Sequence, residues 1–225
     1  MGIKLYTKKQ WKTENHFNFK YVEYLPENFE NGKKYPLVFF LHGAGERGED
    51  LDAAMRYGYM KYVREEGKNY PFIFIAPVCP KDKYWGCYTE SLIAFLDYIT
   101  DSLPVDKERI YLTGLSMGGT GTWMLAMACP EKFAALMPVC GSGICWYGEA
   151  VKDIPIYIFH GDCDATVPIS ESITMMSKIN GMGGNAKIKI CYGVDHNAWD
   201  YAYTDDEAME WMLSQRLSDR VKKDN

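Results

Sequence analysis

The stretch Gly114-Leu-Ser-Met-Gly-Gly119 sets a serine between glycines two residues to either side, directly after the apolar run RIYLT. A serine hydroxyl in such a place can act as a nucleophile if the chain also supplies a base and a group to orient that base. The pattern G-x-S-x-G is short, so its meaning depends on a strand before it, a helix after it and partners in the right order. A nucleophile on a sharp strand-to-helix turn has strained backbone angles, and its neighbours at 114 and 118 must do without a Cβ. The same turn aims the first amides of the helix at the space above Ser116. The backbone N–H of Met117 is therefore the expected first donor to an oxyanion.

Four histidines compete for the role of base: His16, His42, His160 and His196. His16 lies in the polar N-terminal stretch ENHFN and reads as a surface residue. His42 and His160 each end an apolar run and precede glycine, in LHGAGERG and FHGDCD, so they read as strand-end residues that shape a loop through hydrogen bonds. His196, in YGVDHNAW, follows the last apolar run, where a loop can carry an imidazole over the serine. Elimination and chain order make His196 the base. The orienting carboxylate comes from HGDCDATVP, which offers Asp162 and Asp164. Asp164 is favoured because it lies further into the loop, whereas Asp162, beside Gly161, is the better candidate for capping its own turn. Asp162 stays in reserve. The order Ser116, Asp164, His196 is then the serine–acid–histidine order of one well-known arrangement of the triad.

These residues need elements to position them. The runs Pro36–His42, Phe72–Val78, Arg109–Leu115, Phe133–Cys140, Ile154–His160 and Ala186–Tyr192 read as strands. They are nearly continuous in apolar residues, which suits strands covered on both faces of a parallel sheet. Segments around Lys4–Lys8 and Phe19–Leu25 read as additional antiparallel edge strands. Between them, Leu92, Phe95, Leu96, Ile99 and Leu103 form a helical stripe that Pro104 ends. GGTGTWMLAMA continues as a helix after Ser116. Thr204-Asp-Asp-Glu207 reads as a capping box before Met209, Met212, Leu213 and Leu217. The alternation predicts an α/β, doubly wound and mostly parallel sheet flanked by helices, in one domain spanning residues 1–225. The connection from Cys140 to Ile154 is too short for a large lid domain.

Composition narrows the function. The 225 residues carry a net charge of −5 with the charges scattered, so no basic stripe points to nucleic acid and no cationic cluster to a membrane surface. No apolar run is long enough to cross a bilayer. The seven cysteines lack C-x-x-C spacing, so neither a zinc site nor a full disulfide set is expected. Several lie inside apolar runs, where a thiol behaves as a small hydrophobe, and the first residues show no secretory apolar region. Both features point to a cytoplasmic protein. Glu46 and Arg47 read as a local ion pair that fixes their loop.

With LHGAGERG, APVCPKDKYW, VDKERIYLTGLSMGG, HGDCDATVP and GVDHNAW in hand, the chain resembles the α/β-hydrolase superfamily. Within it, the likeness is to small bacterial carboxylesterases of the dienelactone-hydrolase and polyhydroxybutyrate-depolymerase-like type, a group that includes lid-less feruloyl and acetyl-xylan esterases. It runs from about Pro36 to Trp211. The resemblance implies Ser116 as nucleophile, Asp164 as orienting acid and His196 as base, with no metal and no organic cofactor. It also implies a second oxyanion N–H at Ala44, beside that of Met117, and places Trp85 and Trp199 in segments near the cleft. Cys163, between the two aspartates, is less typical of the group. Trp85, Trp146 and Trp199 are candidates for an aromatic substrate wall.

The expected reaction is hydrolysis of short-chain or aromatic acyl esters, such as acetyl or feruloyl groups on plant polysaccharide. The partner is then a small-molecule or glycan-linked ester. Rival readings are a lysophospholipase or acyl-protein thioesterase, a small serine peptidase, and a catalytically retired hydrolase that serves as a ligand receptor.

Overall fold

The computed structural model describes residues 6–30 and 32–220. Eight strands form one sheet: β1 (Tyr6–Gln10), β2 (Lys20–Tyr24), β3 (Tyr35–Leu41), β4 (Ile73–Pro77), β5 (Val105–Leu115), β6 (Ala135–Val139), β7 (Ile156–Gly161) and β8 (Ala186–Cys191). Their order is β1-β2-β4-β3-β5-β6-β7-β8. The β1–β2 and β2–β4 pairs are antiparallel, and every pair from β4 to β8 is parallel. The N-terminal edge strands thus pair as expected. Lys4 and Leu5, the first residues of the segment read as an edge strand, lie outside the described residues.

Side chains of successive strand residues point to opposite faces, and the two faces carry two separate cores. Leu37, Phe39 and Leu41 of β3 join one cluster, whereas Val38 and Phe40 join the other. The first face is covered by α2 (Thr89–Ser102), α3 (Met117–Ala128) and α4 (Ser170–Gly181), through residues such as Phe95, Trp123 and Met175. The second is covered by α1 (Tyr59–Glu66), α5 (Trp199–Ala202) and α6 (Asp206–Ser214), through Tyr59, Ala202 and Met212. The sheet is therefore doubly wound. No helix among the described residues is long and apolar enough to cross a membrane.

Three local expectations differ from the structure. β8 alternates between buried and accessible positions rather than being covered throughout, because it is the edge strand and Lys187 and Lys189 line its open face. The cap of α6 is Asp205, whose Oδ1 accepts the Ala208 N–H at 3.0 Å. Thr204 turns back instead, donating its hydroxyl to the Asp200 carbonyl at 2.7 Å. A carboxylate accepts at a helix start more strongly than a hydroxyl, since it also meets the positive end of the helix dipole. Finally, α6 stops at Ser214, and Leu217 opens a separate 3-10 turn, Leu217–Asp219.

Candidate active site

Ser116 stands between β5 and α3 with φ 54° and ψ −118°, a backbone conformation that side-chain-bearing residues rarely hold. The turn is over-determined by its surroundings. Ser116 N–H donates to the Val139 carbonyl at 2.9 Å, and the Ser116 carbonyl accepts from Thr120 N–H at 3.0 Å. A Cβ on Gly114 would run into the Gly118 carbonyl, and one on Gly118 into the Leu41 carbonyl. These two glycines let α3 start against the ends of β5 and β3.

The loops after β7 and β8 bring the partners. His196 Nε2 lies 2.8 Å from Ser116 Oγ, and its Nδ1 lies 2.7 Å from Asp164 Oδ2. With Nδ1–H donating to the carboxylate, Nε2 is left free to accept the serine proton. Asp164 is buried, and its Oδ1 accepts N–H bonds from Thr166 at 2.9 Å and Val167 at 2.8 Å. Burial alone would raise the Asp164 pKa. The bonds from His196, Val167 and Thr166 outweigh it and hold the carboxyl below its ordinary range.

Asp162 does something else. Its Oδ1 accepts the Gly193 N–H at 2.7 Å, so it ties the acid loop to the base loop rather than capping its own turn. Asp195, which residue type and spacing do not single out, makes the reciprocal tie. Its Oδ1 accepts from His196 N–H at 2.8 Å and from Ala165 N–H at 3.2 Å. An aspartate directly before the histidine, in a short polar loop, was the available signal.

The oxyanion side is built on His42. Its imidazole is buried; Nε2 accepts the Cys79 N–H at 3.0 Å, so Nδ1 carries the proton and donates to the Gly43 carbonyl at 2.7 Å. Burial drives its pKa down to about 4, against the Gly43 bond that favours the charged form and with some help from Arg47. The ring is a neutral structural link. The 3-10 turn Ala44–Glu46 follows, and its bond runs from Glu46 N–H to the Gly43 carbonyl at 3.4 Å, leaving the Ala44 N–H outside it. Met117 opens α3, so its N–H has no intrahelical acceptor. Glu46 does not pair with Arg47. It is buried and faces Arg56 at 3.8 Å, while Arg47 donates to the carbonyls of Ala44 at 2.9 Å and Lys83 at 3.2 Å.

The three tryptophans part company. Trp85 is buried, donates its indole N–H to the His42 carbonyl at 2.9 Å and lines a cavity at Ser116. Trp199 stands edge-on to the His196 ring with centroids 5.3 Å apart, so it braces the base. Trp146 is 84 % exposed and does not line that cavity. The cavity has a volume of about 210 Å³ and is walled by Tyr84, Trp85, Met117, Thr120, Met124 and Val167, of which only Trp85 and Met117 are legible as site residues in the sequence. A larger cleft of about 420 Å³ opens among Lys33, Lys34, Tyr35, Tyr70 and Arg109, but it contains no serine, cysteine or histidine. Cys140 brings its thiol within 4.8 Å of the ligand atoms of Asp164 and His196. Burial pushes that thiol far toward its neutral form, against a bond from the Ser116 backbone, so it packs beneath the pair as a hydrophobe.

Strand order and the meeting of these side chains at the carboxyl ends of parallel strands define an α/β-hydrolase. The chain belongs to the Esterase family, whose model matches residues 16–153. Among curated proteins it is similar to a probable feruloyl esterase C of Aspergillus terreus, 28% identical over 165 residues that make up 71% of this chain and 60% of that protein. It is also similar to endo-1,4-beta-xylanase Y of Acetivibrio thermocellus, 26% identical over 147 residues, 58% of this chain and 13% of that protein. A solved thermostable esterase superposes with a TM-score of 0.86 at 33% identity, covering 94% of this chain and 63% of that one. The chain thus spans less than two thirds of each of these relatives.

Proposed function

We propose that the chain is a serine carboxylesterase for short-chain or aromatic acyl esters, among them acetyl or feruloyl groups carried on plant polysaccharide. The observation that carries the proposal is the unbroken path Ser116 Oγ to His196 Nε2 at 2.8 Å and His196 Nδ1 to Asp164 Oδ2 at 2.7 Å, on a strained strand-to-helix turn. Family membership and the resemblance to feruloyl esterase C support the ester as substrate. The likeness to a xylanase chain supports a polysaccharide carrier.

In the first half-reaction Ser116 Oγ attacks the ester carbonyl carbon while His196 Nε2 takes the hydroxyl proton. The carbonyl π electrons move to oxygen, and the N–H groups of Met117 and Ala44 receive that charge. Asp164 holds the imidazole in the tautomer that accepts at Nε2 and stabilises the imidazolium. The tetrahedral intermediate collapses, the alcohol leaves with the proton from His196, and Ser116 remains acylated. Water then attacks the acyl-enzyme with His196 as base, releasing the acid and restoring the hydroxyl. Side chains and amides of this chain supply every group the cycle needs.

The cavity beside Ser116 is smaller than the roughly 300–1,000 Å³ typical of drug-sized ligand sites, which favours a compact acyl group over a long alkyl chain. The test is a panel of nitrophenyl esters of rising chain length run beside methyl ferulate and acetylated xylan. Turnover of the short nitrophenyl esters together with methyl ferulate or acetylated xylan is expected. A preference for long chains would replace this reading with a lysophospholipase or thioesterase, and turnover of none of the panel would revive the receptor.

A further inference from the structure

One wall of the cavity at Ser116 is a single stripe of one helix. Met117, Thr120, Gly121 and Met124 all line it, and they stand at positions i, i+3, i+4 and i+7 of α3. The stripe begins at the residue proposed to hold the oxyanion and ends two helical turns away, roughly 10 Å along the axis. An acyl group attached to Ser116 would lie along this stripe, with Tyr84, Trp85 and Gly86 as the facing wall.

Two features shorten that space. A helical side chain leans toward the N-terminus, so the Met124 thioether is directed back along the stripe toward Ser116. Gly121 leaves the preceding turn bare because Trp85 sits against it, 2.9 Å from where a Cβ would be. The tip of Met124 meanwhile occupies the volume that a side chain on Gly86 would need: its Sδ lies 2.9 Å from that Cβ position and its methyl carbon nearer still. The end of the stripe away from Ser116 is thus occupied by one flexible, unbranched side chain packed against Gly86. Methionine adapts its shape at low cost, which makes this closure movable rather than rigid.

We propose that Met124 is the specificity-determining residue for acyl length, a single thioether floor seated on Gly86 that holds the site to compact acyl groups. The proposal rests on the esterase reading above. Removing the thioether opens the next turn of the stripe to a longer chain. Adding a methyl at Gly86 displaces the Met124 tip into the cavity and shortens it. Trp85 and Thr120 lack this freedom, since Trp85 is fixed by its bond to the His42 carbonyl and Thr120 by its hydroxyl, which accepts the Ser142 N–H at 3.0 Å.

The experiment compares wild type, Met124→Ala, Met124→Leu and Gly86→Ala on nitrophenyl acetate, butyrate, hexanoate and octanoate, reading kcat/KM for each. Fluorophosphonate labelling of each variant reports whether its Ser116 is competent, and it normalises the rates. Met124→Ala is expected to raise octanoate relative to acetate by roughly tenfold or more, the scale of one or two methylenes admitted to an apolar pocket. Met124→Leu is expected to keep the wild-type order, and Gly86→Ala to lower hexanoate and octanoate further against acetate. An unchanged chain-length order in labelled Met124→Ala or Gly86→Ala overturns the proposal while leaving the esterase reading intact. If Met124→Ala folds too poorly to label, Gly86→Ala decides on its own. Wild type that labels but turns over none of the four esters overturns both.

Discussion

Two places in this molecule carry nearly the same short sequence and do opposite electrostatic work. β3 ends in Leu-His42-Gly43 and β7 ends in Phe-His160-Gly161, each a buried histidine followed by glycine at the carboxyl end of a parallel strand. After β3 the chain turns at once into Ala44–Glu46, a turn whose own bond leaves the Ala44 N–H unused. After β7 it runs on into a loop that offers a carboxylate. Both imidazoles serve as struts. His42 joins the Cys79 N–H to the Gly43 carbonyl. His160 meets Ser172 Oγ at 2.7 Å and the Val167 carbonyl at 2.8 Å, which folds the loop so that Val167 N–H reaches Asp164. A histidine at a strand end is therefore no sign of catalysis by itself. The residues beyond the glycine decide whether the loop presents positive or negative charge.

The largest expected effect lies on the β7 side. Asp164→Asn keeps the shape but loses the charge that holds the His196 tautomer, and kcat should fall by about 10⁴-fold. Asp162→Asn retains an oxygen for the Gly193 N–H, so its kcat should stay within about twofold of wild type, in the range of substitutions that break no buried feature. Steady-state kinetics on nitrophenyl acetate separates the two. Equal losses would mean that the loop and not the Asp164 contact matters.

The β3 side should be less sensitive. A Cβ on Gly43 would sit 2.8 Å from Leu115 Cδ1 and 3.0 Å from Glu46 Oε2, so Gly43→Ala presses on two buried side chains, one of them from the turn that carries the Ala44 amide, and is expected to displace that turn. Misplacing one oxyanion donor costs about 10²-fold to 10³-fold in kcat, with KM little changed. A loss confined to KM would remove Ala44 from the oxyanion site.

A further effect appears in stability rather than rate. The folded-state pKa of His42 is depressed to about 4 from an ordinary 6.5, so between these values the unfolded chain binds the proton that the folded chain refuses. Stability therefore falls as pH drops from 6.5 to 4, by about 3 kcal/mol for a shift of this size. Asp164, held below its ordinary range, adds its own loss only at lower pH, below the unfolded carboxyl value. His42→Gln should flatten the upper part of the acid slope in urea titrations across that window. An unchanged slope would show that the imidazole is not the group being protonated.

Much of this was legible from residue types. The covered strands announced themselves as apolar runs, the strained turn at Ser116 by glycines that only a close backbone approach demands, and its histidine neighbour His196 by elimination among four. Interactions between distant segments were not legible. Asp162 and Asp195 look alike in sequence, yet they form reciprocal ties between two loops that meet only when β7 and β8 pair. Glu46 chose Arg56 over its neighbour Arg47 because the turn buries the glutamate while Arg47 reaches outward to carbonyls. The cap at Asp205 differs from the capping box expected at Thr204 for a more local reason, since Asp205 has Ala208 in place of an acid three residues on but is held by the Lys189 ion pair at 2.5 Å. Trp146 and Trp85 are alike in residue type, and in the sequence only the family resemblance separates them. Only the structure sets one on the surface and the other beneath the oxyanion turn.

The proposed catalysis depends above all on Ser116 becoming acylated. Mass mapping of the protein after rapid quenching with nitrophenyl acetate, repeated with a fluorophosphonate probe, tests this directly. The expected result is a single adduct on the peptide containing Ser116, formed in wild type and lost in Ser116→Ala. An adduct that persists in Ser116→Ala, or one that maps to another residue in the wild type, would contradict it.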